Sequence, residues 1–263
     1  MSDGHLPGGS DGGVVAPTTT SLLARLFGVP LLIVCVIVGA AVLVVLSFGS
    51  ITMERERPLD QLVSVLEAGS GEKTAGVLLP GEKELWQMAQ ELGARLTNKD
   101  RELTAEELES LVDRLSAALA RDAKASATLT DMGRKKMHFV MRALAATELP
   151  AAVGPLILML SDGDASTRRE ALAALSGMHG VSGIDDALPG IIKSLEDPDS
   201  VVRTVACVSI SAIASSGDAG VIEALRRAYI DDNREVKWNA ALGLARLGSP
   251  AGKSLLLDML NRD

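Results

Sequence analysis

Asp197–Ala214 reads DPDSVVRTVACVSISAIA: two acids around a proline, then a helix-length run of small and aliphatic residues with a single arginine. The same chemistry recurs on both sides. Asp162–Ala174 reads DGDASTRREALAA and Asp231–Leu244 reads DDNREVKWNAALGL, at offsets of 35 and then 34 residues. A period of that length is the signature of stacked helical units rather than one globular core.

Aligning the copies gives the mechanics. Asp162, Asp197 and Asp231 open a turn, and Thr167-Arg168, Val202-Arg203 and Val236-Lys237 follow. Ala171, Ala206 and Ala240 come next, then Leu175, Ile210 and Leu244 four residues on, then Met178, Ile213 and Leu247. This spacing predicts one apolar stripe along one helix, repeated three times. The acids at the start of each helix suit its free N–H groups and its dipole. A partner helix precedes each turn, with Leu156, Ile157 and Leu160, then Ile191, Ile192 and Leu195, then Leu225 and Tyr229 on its apolar face. A last partner helix carries Leu255, Leu256, Met259 and Leu260 as a terminal half-repeat. The small alanines let paired helices approach closely, so a large residue at Ala206 would overpack the stack.

These residues resemble a known family. The pattern D-x-D-x-x-V-R-x-x-A, with Ala187-Leu188-Pro189 in the preceding helix, is similar to HEAT repeats of the short bacterial kind also found in phycobilisome lyases. The resemblance covers Leu149 to Asp263. It extends upstream in weaker form, where Arg134, Met137, Met141 and Leu144 stand at the positions of Arg168, Ala171, Leu175 and Met178. It implies an all-α fold, an α-α superhelix or α-solenoid whose second helices line a concave face. It also implies a structural ladder between neighbouring repeats, with Asp197 and Arg203 as the members of the central unit, and Asp162 with Arg168 and Asp231 with Lys237 as those of its neighbours. Lys237 lacks the planar fork of arginine, which weakens the ladder there.

Outward from the repeats, residues 128–263 form the HEAT-like domain, and residues 51–127 form a helical region whose membership in the repeat series stays open. Glu82–Leu96 is amphipathic, and Thr104 with Glu107 makes a capping box before LESLVDRLSAALA. The linker core GSGEKT at Gly69–Thr74 lacks the glycines of a phosphate loop, and Glu67 stands where the first should be, so it reads as a connector.

Residues 29–50, within VPLLIVCVIVGAAVLVVLSFGSI, carry no charge. A helix of about 20 residues rises about 30 Å, the thickness of a bilayer's hydrocarbon core, so a single transmembrane helix is expected ahead of the solenoid. Arg25 precedes it while Arg55, Arg57 and Lys73 follow, which places the repeat domain in the cytoplasm. Residues 1–24 form a disordered Gly/Ser/Pro-rich tail.

Composition excludes several functions. A net charge of −8 with only 2% aromatic residues lacks the basic footprint and stacking groups that nucleic acid requires. Cys35 and Cys207 lie far apart, and His5, His138 and His179 form no ligand set, so no metal or cofactor is expected. His138, beside Arg134, Lys135 and Lys136, reads as part of a solvated helix face. Asp162-Gly-Asp164 and Asp197-Pro-Asp199 lack the oxygen series of a calcium loop.

The reading is therefore a membrane-tethered scaffold, not an enzyme, that binds protein partners. Arg168, Arg169, Arg203, Lys237 and Trp238 are the candidate binding residues, with Thr204 added where the copies differ. Two alternatives accompany it. One is a bilin-lyase-like enzyme or chromophore chaperone, on the family resemblance alone; the other is a structural spacer or oligomerisation module.

Overall fold

The chain divides into two units, Met1–Glu56 and Arg57–Asp263. The computed structural model describes residues 58–67, 82–98 and 103–260, all in the second unit. The expected tail, the 29–50 span, its flanking charges and the GSGEKT connector lie outside the described residues. Among the described residues, no helix is long and apolar enough to cross a membrane.

The described residues are helical and contain no strand. In order, the helices are α1 (Leu59–Glu67), α2 (Glu82–Thr97), α3 (Ala105–Lys124), α4 (Asp131–Ala146), α5 (Val153–Met159) and α6 (Ala165–Gly177). They continue as α7 (Leu188–Ser194), α8 (Ser200–Ile213), α9 (Ala219–Ala228), α10 (Arg234–Arg246) and α11 (Pro250–Leu260). Short 3-10 turns precede α5 and α7.

Packing alternates. The second helix of each pair lies against the second helix of the next, so α2, α4, α6, α8 and α10 form one row. First helices pack against their own second helices: α5 on α6, α7 on α8, α9 on α10. The helices from α1 to α4 follow the same alternation, with α1 on α2 and α3 on α4. This is the arrangement of a helical solenoid, in which each unit buries its apolar stripe against neighbours.

The aligned stripe is the core. Ala171, Ala206 and Ala240 are fully buried, as are Leu175, Ile210 and Leu244. Small residues at these places let the row close up, and polar atoms then bridge it. The buried Ser209 hydroxyl of α8 donates to the Leu172 carbonyl of α6 at 2.9 Å. Met137, the large residue where the other copies carry alanine, is also fully buried.

Helix starts follow the expected chemistry with one refinement. The capping box holds: the Thr104 hydroxyl accepts from Glu107 N at 3.2 Å and Glu107 accepts from Thr104 N at 2.8 Å. In the repeats, however, the cap is the residue two after the first acid of the turn. Asp199 accepts from Val201 N and Val202 N at 2.8 and 3.1 Å, and Asn233 accepts from Glu235 N and Val236 N at 2.9 and 3.2 Å. Asp164 accepts from Thr167 N in the same way. The first acid is thereby left for another task.

At the far end Gly248, with φ of 78°, turns the chain out of α10, and Gly252 lets α11 lie directly on it. The expected apolar face of α11 is only partly covered. Leu255 and Leu256, one turn on from Gly252 on the side that meets α10, are half-buried, whereas Leu257, off that face, and Leu260, at the end of the helix, are exposed.

Candidate interaction surface

The first acid of each turn receives an arginine from the unit before it. Arg168 of α6 donates to both carboxylate oxygens of Asp197, from Nε and Nη2, each at 2.7 Å. Arg203 of α8 does the same to Asp231 at 2.6 and 3.0 Å. The ladder therefore runs from the arginine of one unit to the aspartate of the next. Within a unit, the arginine meets backbone only: Arg168 Nη1 donates to Asp162 O at 2.9 Å, and Arg203 Nη1 to Asp197 O at 2.8 Å. The ladder expected between neighbouring repeats is present, and its central-unit members Asp197 and Arg203 bond outward to the two flanking units, not to each other. The physical reason is length: the arginine reaches past its own turn, whose carboxylate is already folded back onto the Asp199 amide at 2.9 Å.

Electrostatics agree with this geometry. The Arg203 hydrogen bonds hold the Asp231 carboxyl below its ordinary range, against the opposing effect of burial. For Asp197, burial pushes the carboxyl up, yet the bonds from Arg168 and the Asp199 amide together leave it lowered. Such forked, charge-assisted pairs are the stronger class of hydrogen bond.

Ladder duty takes Arg168 and Arg203 out of the candidate binding set. Their side chains are only 12% and 18% exposed, and their donors are committed. At the upstream end, Asp162 accepts from Ser126 Oγ at 2.8 Å, and Arg134 approaches Asp164 at 3.4 Å instead. At the other end Lys237 is half-buried and makes no ion pair among the described residues, though its charge helps lower Asp231.

The remaining candidates occupy one equivalent position, the residue after the ladder cation: Arg169, Thr204 and Trp238. Arg169 is exposed, Trp238 is 38% exposed, and Thr204 is half-buried with its hydroxyl donating to Ser200 O at 2.9 Å. Trp238 thus presents part of its surface to solvent.

The structure adds residues that the pattern had assigned no role. Val201 and Val208 on α8 and Leu242 on α10 are each close to half exposed. Val201 and Val208 lie three before and four after Thr204, and Leu242 lies four after Trp238, so they share its helix face. The signal was available: these are large apolar residues off the core stripe.

His138 departs from the expected solvated face. It is half-buried on α4, and its Nε2 is buried without a hydrogen bond. Burial pushes its imidazole below the ordinary value of 6.5, partly opposed by Glu170. A histidine lowered in the folded state binds its proton more readily when unfolded, so the fold loses stability as pH falls through 6.5 toward the folded value. Melting curves of the intact chain should show this loss between about pH 7 and pH 5, and His138→Phe should flatten it.

Two family models match the chain. One, described as HEAT repeat, covers residues 187–217, and the other, described as HEAT repeats, covers residues 204–263. The C-terminal units from α7 onward therefore match HEAT repeats, in agreement with the motif reading. No curated protein matches. Among solved structures, the chain is similar to a designed armadillo repeat protein in complex with the peptide (KR)4, at 19% identity and a TM-score of 0.47, over 78% of this chain and 92% of that one. It is also similar to an engineered protein at 18% identity and a TM-score of 0.48, over 79% and 92% of the two chains.

Proposed function

We propose that this chain is a membrane-tethered, non-enzymatic scaffold whose HEAT-like units bind a protein partner through the exposed face of α8 and α10. The observation that carries the reading is a division of labour. Ladder and core consume Arg168, Arg203 and the aligned alanines, while Trp238, Leu242, Val201 and Val208 remain exposed on adjacent helices of one row. Large apolar side chains grouped on a surface mark interaction sites, and tryptophan is the residue type most enriched at binding hot spots.

The uncharged 29–50 run supplies the tether, and the basic residues after it favour a cytoplasmic repeat domain. Crosslinking capture from native membranes tests the binding reading. The intact chain should retain a partner that Trp238→Ala with Arg169→Ala loses while its melting curve stays unchanged; equal capture by both would overturn it. Alkaline extraction and protease protection test the tether and its orientation: the chain should stay with the membrane, with the repeats digestible from the cytoplasmic side.

A further inference from the structure

Resting on the scaffold reading above, we propose that the occupant of this surface is an amphipathic helix of a partner protein that carries acidic residues beside its apolar stripe. Residues four apart on a helix form a ridge, and three neighbouring second helices present the same ridge in register. On α10 it reads Arg234, Trp238, Leu242, Arg246, with every residue exposed. On α8 the equivalent residues are Ser200, Thr204, Val208 and Ala212, and on α6 they are Ala165, Arg169, Ala173 and Gly177.

The side chains on these ridges differ in height. Trp238 and Leu242 make a raised apolar wall, the shorter residues of α8 make a shelf beside it, and α6 falls to alanine and glycine around Arg169. Neighbouring helices lie about 8–10 Å apart, so the shelf accepts one further helix, whose anchors at i, i+3 or i+4, and i+7 would meet Trp238, Leu242, Val208 and Val201. A bilayer engages a plane of protruding apolar groups, and here one ridge stands above two lower ones.

Charge selects the partner's sign. The ridge residues include Arg169, Arg234 and Arg246, all exposed and in no ion pair among the described residues, and no acid. Glu235 lies one residue off the ridge. The whole chain carries −8, so this is a positive strip on an acidic protein, and its complement is negative.

The test is selection of short random displayed peptides on the intact chain and on a variant with Arg169→Glu and Arg246→Glu. The intact chain should enrich peptides that combine aspartate or glutamate with apolar residues three and four apart. The reversed variant should enrich lysine and arginine instead. Trp238→Ala should lower affinity for the first set at least tenfold, and Arg169→Gln with Arg246→Gln should lower it less than full reversal. All these positions are exposed, and matched melting curves check that the variants fold. The same peptide charge on both chains, or no enrichment, would overturn the proposal. So would recruitment to phosphatidylserine vesicles that is lost on charge reversal while no peptide is selected. If the reversed variant still captures the native partner in a Trp238-dependent way, the scaffold reading stands and the acidic chemistry falls. If Trp238→Ala changes neither peptide nor native capture, both fall.

Discussion

Replacing Arg203 with alanine should lower the unfolding free energy by roughly 2–3 kcal/mol, because it strands a mostly buried Asp231 carboxylate and frees two backbone carbonyls at once. The Asp231 side chain is 11% exposed, and Arg203 supplies both of the side-chain bonds it accepts across the unit boundary. The corresponding fall in melting temperature is roughly 5–10 °C for a domain of this size. Arg203→Lys should recover less than half of the loss, since an ammonium carries the charge but not the fork.

A double-mutant cycle with Asp231→Ala separates the pair from its surroundings, and a coupling of about 1–2 kcal/mol is expected. Its pH dependence has a definite sign. The Asp231 carboxyl is lowered in the folded state, so its contribution is complete above the ordinary aspartate range and disappears as pH falls through the lowered value. A coupling that persists unchanged in acid would mean that the pair is not an ion pair in solution.

The second large effect comes from a position where helix propensity and packing point in opposite directions. Alanine is favoured over glycine by about 1 kcal/mol inside a helix. At Gly252, however, an added Cβ would stand 2.5 Å from the Leu244 carbonyl carbon and 2.7 Å from the Ala245 Cα. Those are backbone atoms of α10 and its last turn, and they cannot swing aside as the end of a side chain can. Gly252→Ala should therefore destabilise by about 2 kcal/mol, and amide exchange in α11 should accelerate first. Gly93 on α2 is the contrast, with nothing within 4 Å of the added carbon. Gly93→Ala should stabilise by about 0.5–1 kcal/mol.

These contrasts explain what could be read from residues alone. The ladder members were legible because Asp197, Asp231, Arg168 and Arg203 recur at fixed places in the motif. Their pairing was not, because a motif gives positions within a unit, and the bonds span 28 and 29 residues into the next. The core stripe was legible for a similar reason: every fourth or third residue through Ala206, Ile210 and Ile213 is apolar, and all three are buried.

The surface was harder. Arg168 and Arg169 are adjacent, and one register step puts the first in the ladder and the second in solvent. Val201, Val208 and Leu242 are hard to single out because, in a chain that is 47% apolar, three more aliphatic residues carry no signal until their angle around the helix is considered. Leu260 is the opposite case, since it shares the period of Leu256 yet is exposed at the end of α11. His138 likewise sits among charged neighbours in sequence, yet its Nε2 is buried.

The central claim is that ladder and core hold the solenoid while the α8 and α10 face binds. A photo-crosslinking residue placed at Leu242, compared with one at Leu158 on the first-helix row, tests it most directly, because both sites are well exposed at 49% and 67%. In native membranes the account predicts a discrete protein adduct from position 242 and none from position 158. Adducts from 158 alone, or from neither, would contradict it.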